Sequence, residues 1–397
     1  MKSTEIKPGI YWVGYIDWDV RDFHGYQTSR GSTYNAYLIV DEKIALIDAV
    51  KGGYAYDLID KISEHIDPAK IDYVVSNHTE PDHSGELQRI LDIAKNAKVV
   101  ATQKGKDGLE KYYEGNWDYE VVKTGDSISL GKNTMEFIAT PMLHWPDSMF
   151  TYIPEQKLLF SMDAFGQHFA SSGRFDDQVD ICELLAEAKI YYANIIMHLG
   201  STVARTLKAA EKLEIDMIAP SHGVIWRSMI ADIISAYQDW AVCKPTNKAL
   251  VLYDSMWHST EMMAVSIAEG LGNGGVPAKL LNVSINDVTH LATEVLDCAA
   301  VIVGSPTLNN GMLPTVASFM TYIQGLQPKG KLGFAFGSHG WAGGAVPKVR
   351  TMLEDTGVEI VHENITCKYK PDAEELKVCY EAGQILAEKI KTNICLP

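Results

Sequence analysis

Apolar and polar residues follow two different patterns along the chain, and the change between them falls near residue 247. In the second part, short apolar runs typical of buried strands are separated by amphipathic segments of helical period. The predicted strands are Ala249 to Tyr253, Lys279 to Val283, Ala299 to Gly304, Lys331 to Gly337 and Glu359 to His362. The predicted helices include Glu261 to Glu269, Thr315 to Gln324, Val346 to Leu353 and about Ala373 to Lys391. This alternation predicts an α/β domain with a doubly wound parallel sheet.

The first part of the chain has a less regular order of elements. Short strand-like runs have helical patterns between only some of them, which predicts an α+β domain with a mixed sheet layered with helices. The predicted strands are Ile10 to Tyr15, Tyr37 to Val40, Ile44 to Asp48, Tyr73 to Ser76, Lys98 to Ala101, Met135 to Thr140, Leu158 to Met162 and Met217 to Pro220. A polar linker with a proline occupies residues 244–248, so we expect one domain over residues 1–247 and a second over 248–397.

The bulk composition excludes several classes of protein. A chain of 397 residues is longer than one core usually supports, which agrees with two domains. The formal net charge of −16 repels phosphate backbones, so nucleic acid is not an expected partner. No apolar run has the length of a membrane span and the N-terminus lacks the apolar core of a signal peptide, so we expect no membrane association and a cytoplasmic location. The six cysteines form no CxxC pair, which argues against an iron–sulfur cluster or a rubredoxin-type centre.

The most informative segment is HTEPDH, residues 78–83. It follows the predicted strand that ends at Ser76 and carries two imidazoles and two carboxylates. The end of a strand is a rigid place to mount side chains, and a loop can bend several of them toward one point. Imidazole and carboxylate are ligands that zinc and iron take in proteins. The segment therefore predicts a metal site rather than a solvated polar turn.

Three further candidate ligands stand at the ends of other predicted strands. His144 follows the strand that ends at Thr140, Asp163 closes the strand from Leu158 to Met162, and His222 follows the late strand that ends at Pro220. A single histidine in such a position is most often structural. Three residues of this kind after so dense a motif favour one shared metal centre.

Three loops of the second part follow predicted strands at the carboxyl edge of the sheet, where open α/β sheets bind ligands. Residues 255–260 combine hydroxyl side chains with backbone amides at a helix N-terminus, which suits an anion. Residues 304–311 can present amides to a ring, and residues 337–344 offer Trp341 for stacking and glycines for close approach. Together these loops resemble the FMN site of flavodoxin. The residues expected to bind FMN are Ser255, Met256, Trp257, His258, Ser259, Thr260, Pro306, Thr307, Leu308, Asn309, Asn310, Gly311, Ser338, His339, Gly340, Trp341, Ala342 and Gly343.

The metal motif resembles that of the metallo-β-lactamase fold, an αββα sandwich. That family places a His-x-His-x-Asp-His cluster after a strand and adds a distant His, a bridging Asp and a final His. The matching residues here are His78, Asp82, His83, His144, Asp163 and His222. The chain departs from the pattern at Glu80, where the hydrolases carry a histidine. An anionic oxygen ligand makes the site harder and more negative, which favours iron over redox-inert zinc.

With both halves considered, the whole chain resembles the flavodiiron proteins, in which a metallo-β-lactamase-like domain precedes a flavodoxin-like domain. The most specific signs are Glu80 and the loop at residues 255–260, and residues 23–35 also resemble the family's N-terminal segment. The resemblance implies FMN and two iron ions as cofactors. If Asp163 bridges the irons, one iron has His78, Glu80 and His144, and the other has Asp82, His83 and His222.

The resemblance also implies an activity and partners. Such proteins reduce dioxygen to water, nitric oxide to nitrous oxide, or both, with electrons that FMN collects from rubredoxin or a reduced deazaflavin coenzyme. They form head-to-tail homodimers or dimers of dimers. A rubredoxin donor would favour a basic patch near the flavin loops, and the candidates in sequence are Lys329, Lys331, Lys348 and Arg350.

Weaker candidates for hydrogen bonding or proton donation near the irons are His24, Tyr26 and His168. A purely structural role explains His24 and Tyr26 equally well. Tyr191 and Tyr192 are also candidates to approach the pocket, although tyrosines at helical spacing are more often core residues. Two other functions stay open. One is a zinc hydrolase with an attached flavodoxin domain, against which Glu80 argues. The other is an electron carrier with a degenerate first domain, against which the complete ligand set argues.

Overall fold

The computed structural model describes residues 2–394, and the chain divides into two compact units. The first unit consists of the chain up to Tyr192 together with Ser201–Gln238, and the second consists of Ala193–Gly200 and the chain from Asp239 onward. Cys395 lies outside the described residues.

The strands of the first unit are short and follow the apolar runs of the sequence. In chain order they are β1 (Thr4–Lys7), β2 (Ile10–Trp12), β3 (Tyr15–Asp17), β4 (Asp22–Phe23), β5 (Tyr26–Gln27), β6 (Ser32–Tyr34), β7 (Tyr37–Val40), β8 (Ile44–Ile47), β9 (Tyr73–Val75), β10 (Lys98–Ala101), β11 (Tyr119–Val121), β12 (Ser127–Ser129), β13 (Thr134–Ala139), β14 (Met149–Ile153), β15 (Leu158–Met162) and β16 (Met217–Pro220). The helices along this part of the chain are α1 (Ala55–Ser63), α2 (Pro81–Ser84), α3 (Leu87–Ile93), α4 (Gln103–Tyr112), α5 (Ile181–Tyr191), α6 (Gly200–Ala210) and α7 (Ile230–Ala241).

Two mixed sheets form the first unit. The larger has the strand order β1-β2-β7-β8-β9-β10-β11, and its last three pairings are parallel. The smaller has the order β12-β13-β14-β15-β16, with only β15 and β16 parallel. Alternate residues of both sheets, such as Ile47, Phe137 and Phe160, share one apolar core, while the opposite side chains of the larger sheet, such as Leu46, pack in a second core with Leu58 of α1. This arrangement is the predicted αββα sandwich.

The prediction of one strand from Ile10 to Tyr15 is wrong, because the chain turns between β2 and β3. At Gly14 a Cβ atom would lie 2.3 Å from the carbonyl oxygen of Tyr34, so this close approach requires glycine. Strand β3 pairs with β6 in a separate two-stranded sheet. The missed strands of the first unit include β1 and β14.

The second unit alternates strands and helices. Its elements are β17 (Ala249–Tyr253), α8 (Ser259–Asn273), β18 (Ala278–Asn282), α9 (Val288–Asp297), β19 (Ala300–Gly304), α10 (Pro314–Leu326), β20 (Leu332–His339), α11 (Ala345–Asp355), β21 (Glu359–Ile360), β22 (Ile365–Lys368) and α12 (Ala373–Asn393). The order β18-β17-β19-β20-β21 is parallel throughout, and β22 pairs with the end of β20. This is the flavodoxin-like doubly wound sheet that the alternation predicts.

The expected basic patch is wrong in one member, because Lys331 is buried with 1% of its surface exposed. Its ammonium donates hydrogen bonds to the carbonyl oxygens of Cys243, Leu296 and Cys298 at 3.1, 3.0 and 2.8 Å. Lys331 therefore holds the segment before β17 to the sheet and cannot meet a partner. Arg350 forms ion pairs with two glutamates, which offsets its charge on the surface.

Candidate functional site

Seven side chains that the sequence predicts as metal ligands come together in the first unit. They are supplied where strands β9, β13, β15 and β16 end, and they are His78, Glu80, Asp82, His83, His144, Asp163 and His222. Six are buried, and the His144 side chain is 16% exposed. Asp82 and His83 lie on the helical turn α2 rather than on a loop, so Pro81 at its first position fixes their backbone.

Asp163 stands in the middle of the cluster, and each of its oxygens faces a different pair of histidines. Its Oδ2 atom lies 3.5 Å from Nε2 of His78 and 3.1 Å from Nε2 of His144. Its Oδ1 atom lies 3.1 Å from Nε2 of His83 and 3.3 Å from Nε2 of His222. The cluster is therefore split into two halves that share one carboxylate.

Each half has one further carboxylate. Glu80 Oε2 lies 3.2 Å from Nε2 of His78 and 3.3 Å from Nε2 of His144. Asp82 lies 3.4 Å from Nε2 of His83 and 3.1 Å from Nε2 of His222. Ligand atoms about 2.1 Å from one ion are separated by about 3.0 Å at a right angle and about 3.4 Å at the tetrahedral angle. The spacings in both halves thus fit two adjacent metal ions.

Buried atoms without hydrogen-bond partners supply an independent test of that fit. Oδ1 of Asp82, Nε2 of His83 and Oδ2 of Asp163 have no hydrogen-bond partner of acceptable geometry among the described residues. Leaving such groups unsatisfied in the interior is costly, and cations would satisfy all three. The donor set and these atoms fit a pair of iron ions.

The opposite nitrogens of two histidines are fixed by hydrogen bonds. His78 Nδ1 lies 3.0 Å from Oδ2 of Asp147, and His222 Nδ1 lies 2.6 Å from the carbonyl oxygen of Thr33. Because these acceptors hold a proton on Nδ1, Nε2 is the nitrogen of each ring that can give its lone pair to a metal. Asp147 also accepts a hydrogen bond from the backbone N–H of Thr79 at 2.7 Å.

The charges within the cluster oppose the effect of burial. Burial by itself lowers the pKa of His222, but Asp163 and Asp82 raise it to about 10. In His144 the same competition between burial and the carboxylates of Asp163 and Glu80 gives a pKa of about 9. Protons on these imidazoles are therefore replaced when metal binds, and metal binding releases protons.

The weaker candidates lie at the edge of the cluster. His24 Nε2 lies 2.9 Å from Oε1 of Glu80, and the His24 side chain is 63% exposed. His168 stands with its ring centroid 5.2 Å from that of His222 and 5.9 Å from that of Tyr26, and its Nδ1 lies 2.8 Å from Oγ of Ser32. Burial, followed by repulsion from His222, lowers the pKa of His168 to about 3. His168 is thus a neutral neighbour of the ligands.

Two further residues contact the cluster. The Tyr191 hydroxyl donates a hydrogen bond to Oδ1 of Asp163 at 2.9 Å, so this tyrosine reaches the pocket although its helical spacing favoured a core position. Asp147 was not identified as a partner of His78, because the two residues are 69 positions apart. A carboxylate three residues after His144 was the available signal.

The predicted flavin loops of the second unit line one cavity of about 550 Å³ at the carboxyl ends of β17, β19 and β20. The predicted residues that line it are Met256, Trp257, Ser259, Pro306, Thr307, Leu308, Asn309, Asn310, Ser338, His339, Gly340, Trp341 and Ala342. Tyr369, which follows the missed strand β22, also lines it. Trp257 and Trp341 are 85% and 90% exposed, so their flat aromatic faces are accessible to a planar ligand.

Five predicted residues do not line this cavity: Ser255, His258, Thr260, Gly311 and Gly343. Of these, His258 is turned to solvent and lies 2.6 Å from Oε2 of Glu261, so its imidazole faces away from the cavity. Thr260 is buried and its hydroxyl shares a hydrogen bond with that of Ser338 at 3.0 Å.

The loop before α8 shows the feature expected of a phosphate site. The Ser255 hydroxyl is buried without a hydrogen-bond partner in the described chain, and it precedes the N-terminus of the fifteen-residue helix α8. A phosphate bound there would satisfy the hydroxyl and the free backbone amides of the first helical turn. The cavity and this hydroxyl together fit FMN.

Comparisons with known proteins match both parts of the chain. A family model described as ODP family beta lactamase matches residues 33–223, and a flavodoxin model matches residues 251–383. The chain is 47% identical to the nitric oxide reductase of Moorella thermoacetica over 395 residues, which covers 98% of this chain and 99% of that one. The flavodiiron protein from Giardia intestinalis superimposes with a TM-score of 0.93 at 37% identity, covering 99% of this chain and 98% of that one. This chain belongs to the flavodiiron proteins.

A second solved structure, the rubredoxin oxygen:oxidoreductase of Desulfovibrio gigas, matches this flavodiiron protein with a TM-score of 0.97 and 39% identity over 100% of both chains. Family membership makes the chain an oxidoreductase whose cofactors are FMN and two iron ions. Within residues 2–394, no helix of this flavodiiron protein combines the length and the apolar character that a membrane crossing requires.

Proposed function

We propose that this flavodiiron protein reduces nitric oxide to nitrous oxide, and dioxygen to water, at a di-iron site in its first unit. The observation that carries the proposal is the position of Asp163, whose two oxygens face separate pairs of histidines. The ligands would be His78, Glu80 and His144 for one iron and Asp82, His83 and His222 for the other, in domain 1–247. FMN would bind at the three loops of domain 248–397.

The chemistry sets what the cofactors must supply. Two nitric oxide molecules, two electrons and two protons give nitrous oxide and water, while dioxygen needs four electrons and four protons for two waters. Bound FMN and the two irons together supply these electrons when reduced. The chain's own residues hold the metals, exclude bulk water by burial and provide donors such as Tyr191 and His24 at the carboxylates.

Two relatives support the choice of substrates. The Moorella protein is named a nitric oxide reductase, and the Desulfovibrio protein is named a rubredoxin oxygen:oxidoreductase. We further propose rubredoxin or a reduced deazaflavin coenzyme as the electron donor. A head-to-tail homodimer or a dimer of dimers is the proposed assembly, and it would give the exposed rings of Trp257 and Trp341 a covered environment.

Anaerobic turnover of iron-quantified, FMN-loaded protein tests the proposal. The protein is reduced by rubredoxin and its reductase, or by a reduced deazaflavin, and each gas is added in a separate electrode chamber. We expect rapid consumption of nitric oxide and of dioxygen, and loss of both in Asp163→Asn. Full loading without consumption, also after chemical reduction, would contradict the proposal. Two zinc ions in place of iron would instead support a hydrolase.

A further inference from the structure

An apolar cavity of about 230 Å³ lies in the first unit, apart from the ligand cluster. On one side it is lined by Phe150, Leu159 and Ile218, which project from the smaller sheet away from the core between the two sheets. On the other side it is lined by residues of α6 and α7, among them Val203 and Leu207. The sheet and these two helices therefore leave a space that their own side chains do not fill.

The side chains that line this cavity offer water almost no hydrogen-bond partners. Its polar members are Thr206, Glu211, Tyr237 and Gln238, and of these Glu211 and Gln238 are exposed at the mouth. The buried Tyr237 hydroxyl is already engaged, since it accepts a hydrogen bond from the backbone N–H of Phe165 at 2.7 Å. None of the lining side chains has a buried polar atom without a partner. A water molecule needs two to four polar partners, so the interior suits an apolar occupant.

Part of the cavity lining comes from residues that are next to candidate ligands in sequence. Leu143, which lines it, is the neighbour of the candidate ligand His144. Ala164 and Phe165, which also line it, follow the bridging Asp163. Two separate ligand loops thus form part of the cavity wall.

From this placement we propose that the cavity is a binding site for neutral diatomic gas, nitric oxide or dioxygen, beside the di-iron centre. The inference rests on the proposed function for the identity of the gas. Small apolar molecules leave water for an apolar space, so the cavity raises the local concentration of gas next to the ligands. Nitric oxide reduction consumes two molecules per turnover, so a cavity that holds gas beside the ligand loops would keep a second molecule close to the centre.

Xenon tests the cavity without any turnover. Crystals of the iron- and FMN-loaded protein are pressurised with xenon, and its anomalous scattering is located. We expect a xenon site among Val203, Leu207 and Ile218, higher occupancy in Leu207→Ala, and loss of the site in Val203→Phe. The matched control Ala204→Phe adds the same ring on the exposed face of α6 and leaves the site unchanged. No xenon in the wild-type cavity, or ordered water in its place, would overturn the inference.

The rate of nitric oxide binding to the reduced centre is the second measurement. We expect Val203→Phe to slow association and dissociation by the same severalfold factor and to leave the dissociation constant unchanged, because a cavity changes access and not the metal site. Equal association rates in wild type and Val203→Phe would contradict a supply role even with xenon bound. Failure of the proposed function can be distinguished from failure of the cavity proposal. In that case xenon fills the cavity and nitric oxide binds, but no nitrous oxide forms.

Discussion

Substitution of Asp147 is the most stringent single test of how this fold holds its metals. Its Oδ2 atom accepts hydrogen bonds from Nδ1 of His78 at 3.0 Å and from the backbone N–H of Thr79 at 2.7 Å, and the side chain is 4% exposed. These two bonds orient the His78 ring and the start of the ligand motif. We predict that Asp147→Asn keeps the fold but weakens iron binding.

The expected size follows from the two hydrogen bonds. A buried bond to a charged group contributes about 1.5–3 kcal/mol and a neutral one about 1 kcal/mol. The amide oxygen of Asn can accept both bonds but carries no charge, so the variant loses about 1–4 kcal/mol over the two bonds. The middle of that range, about 1.4–2.8 kcal/mol, is a 10- to 100-fold weaker affinity for iron, the usual effect of removing a carboxylate behind a ligating histidine.

In the assay, the protein competes with a chelator for ferrous iron under argon. The iron taken by the chelator is measured from its absorbance, and the iron kept by the protein is measured after desalting. Asp176→Asn is the matched control, because Asp176 is also a buried carboxylate that accepts backbone N–H groups, from Ser228 and Met229, yet it touches no candidate ligand. Iron affinity equal to wild type in Asp147→Asn, or an equal loss in Asp176→Asn, would refute the reasoning.

Three further predictions concern the flavin site and stability. We predict that Ser255→Ala weakens FMN binding by about 10- to 100-fold in fluorescence titrations, because the proposed bond from the hydroxyl to a charged phosphate would be lost, and that the exposed control Ser284→Ala leaves FMN binding unchanged. Lys331→Met lowers the free energy of unfolding by about 2–4 kcal/mol in urea, since three buried carbonyls lose their donor, while exposed Lys391→Met changes it by less than about 0.5 kcal/mol. Burial raises the pKa of Glu187 to about 7, so the folded state keeps a proton that the unfolded state releases above about pH 4.5. Glu187 alone therefore lowers stability by roughly 3 kcal/mol between pH 4.5 and 7, and Glu187→Gln removes that contribution from the pH profile; a profile identical to that of wild type would contradict the assignment.

The sequence predicts most of the second unit because its strands are continuous apolar runs with helices of clear period between them. Strand β22 was not predicted, because Ile365–Lys368 is short and its alternating polar residues resemble the pattern of a turn. Missing it also meant missing Tyr369 at the flavin cavity. In the first unit β14 was not predicted, although its two sheet partners, β13 and β15, were both predicted.

The ligand cluster was predictable because its members stand at the ends of strands, and strand ends of neighbouring strands meet in space. The contacts that support these ligands could not be predicted from the sequence. Asp48 accepts hydrogen bonds from the backbone and the side chain of Asn77, at 2.8 and 3.1 Å, and so fixes the residue before His78. Such pairs depend on tertiary contacts between distant segments, and neither residue type nor spacing in the sequence predicts them.

The measurement that tests the central claim most directly is a single-turnover titration with nitric oxide. Protein with two irons and one FMN per chain is fully reduced, freed of reductant and mixed with nitric oxide, and nitrous oxide is quantified. The irons and the flavin hold about four electrons together, so the account predicts about two nitrous oxide molecules per chain, and about one after FMN is removed. Dioxygen in place of nitric oxide is predicted to be consumed at about one molecule per chain. No nitrous oxide and no dioxygen uptake from the fully loaded, fully reduced protein would contradict the account.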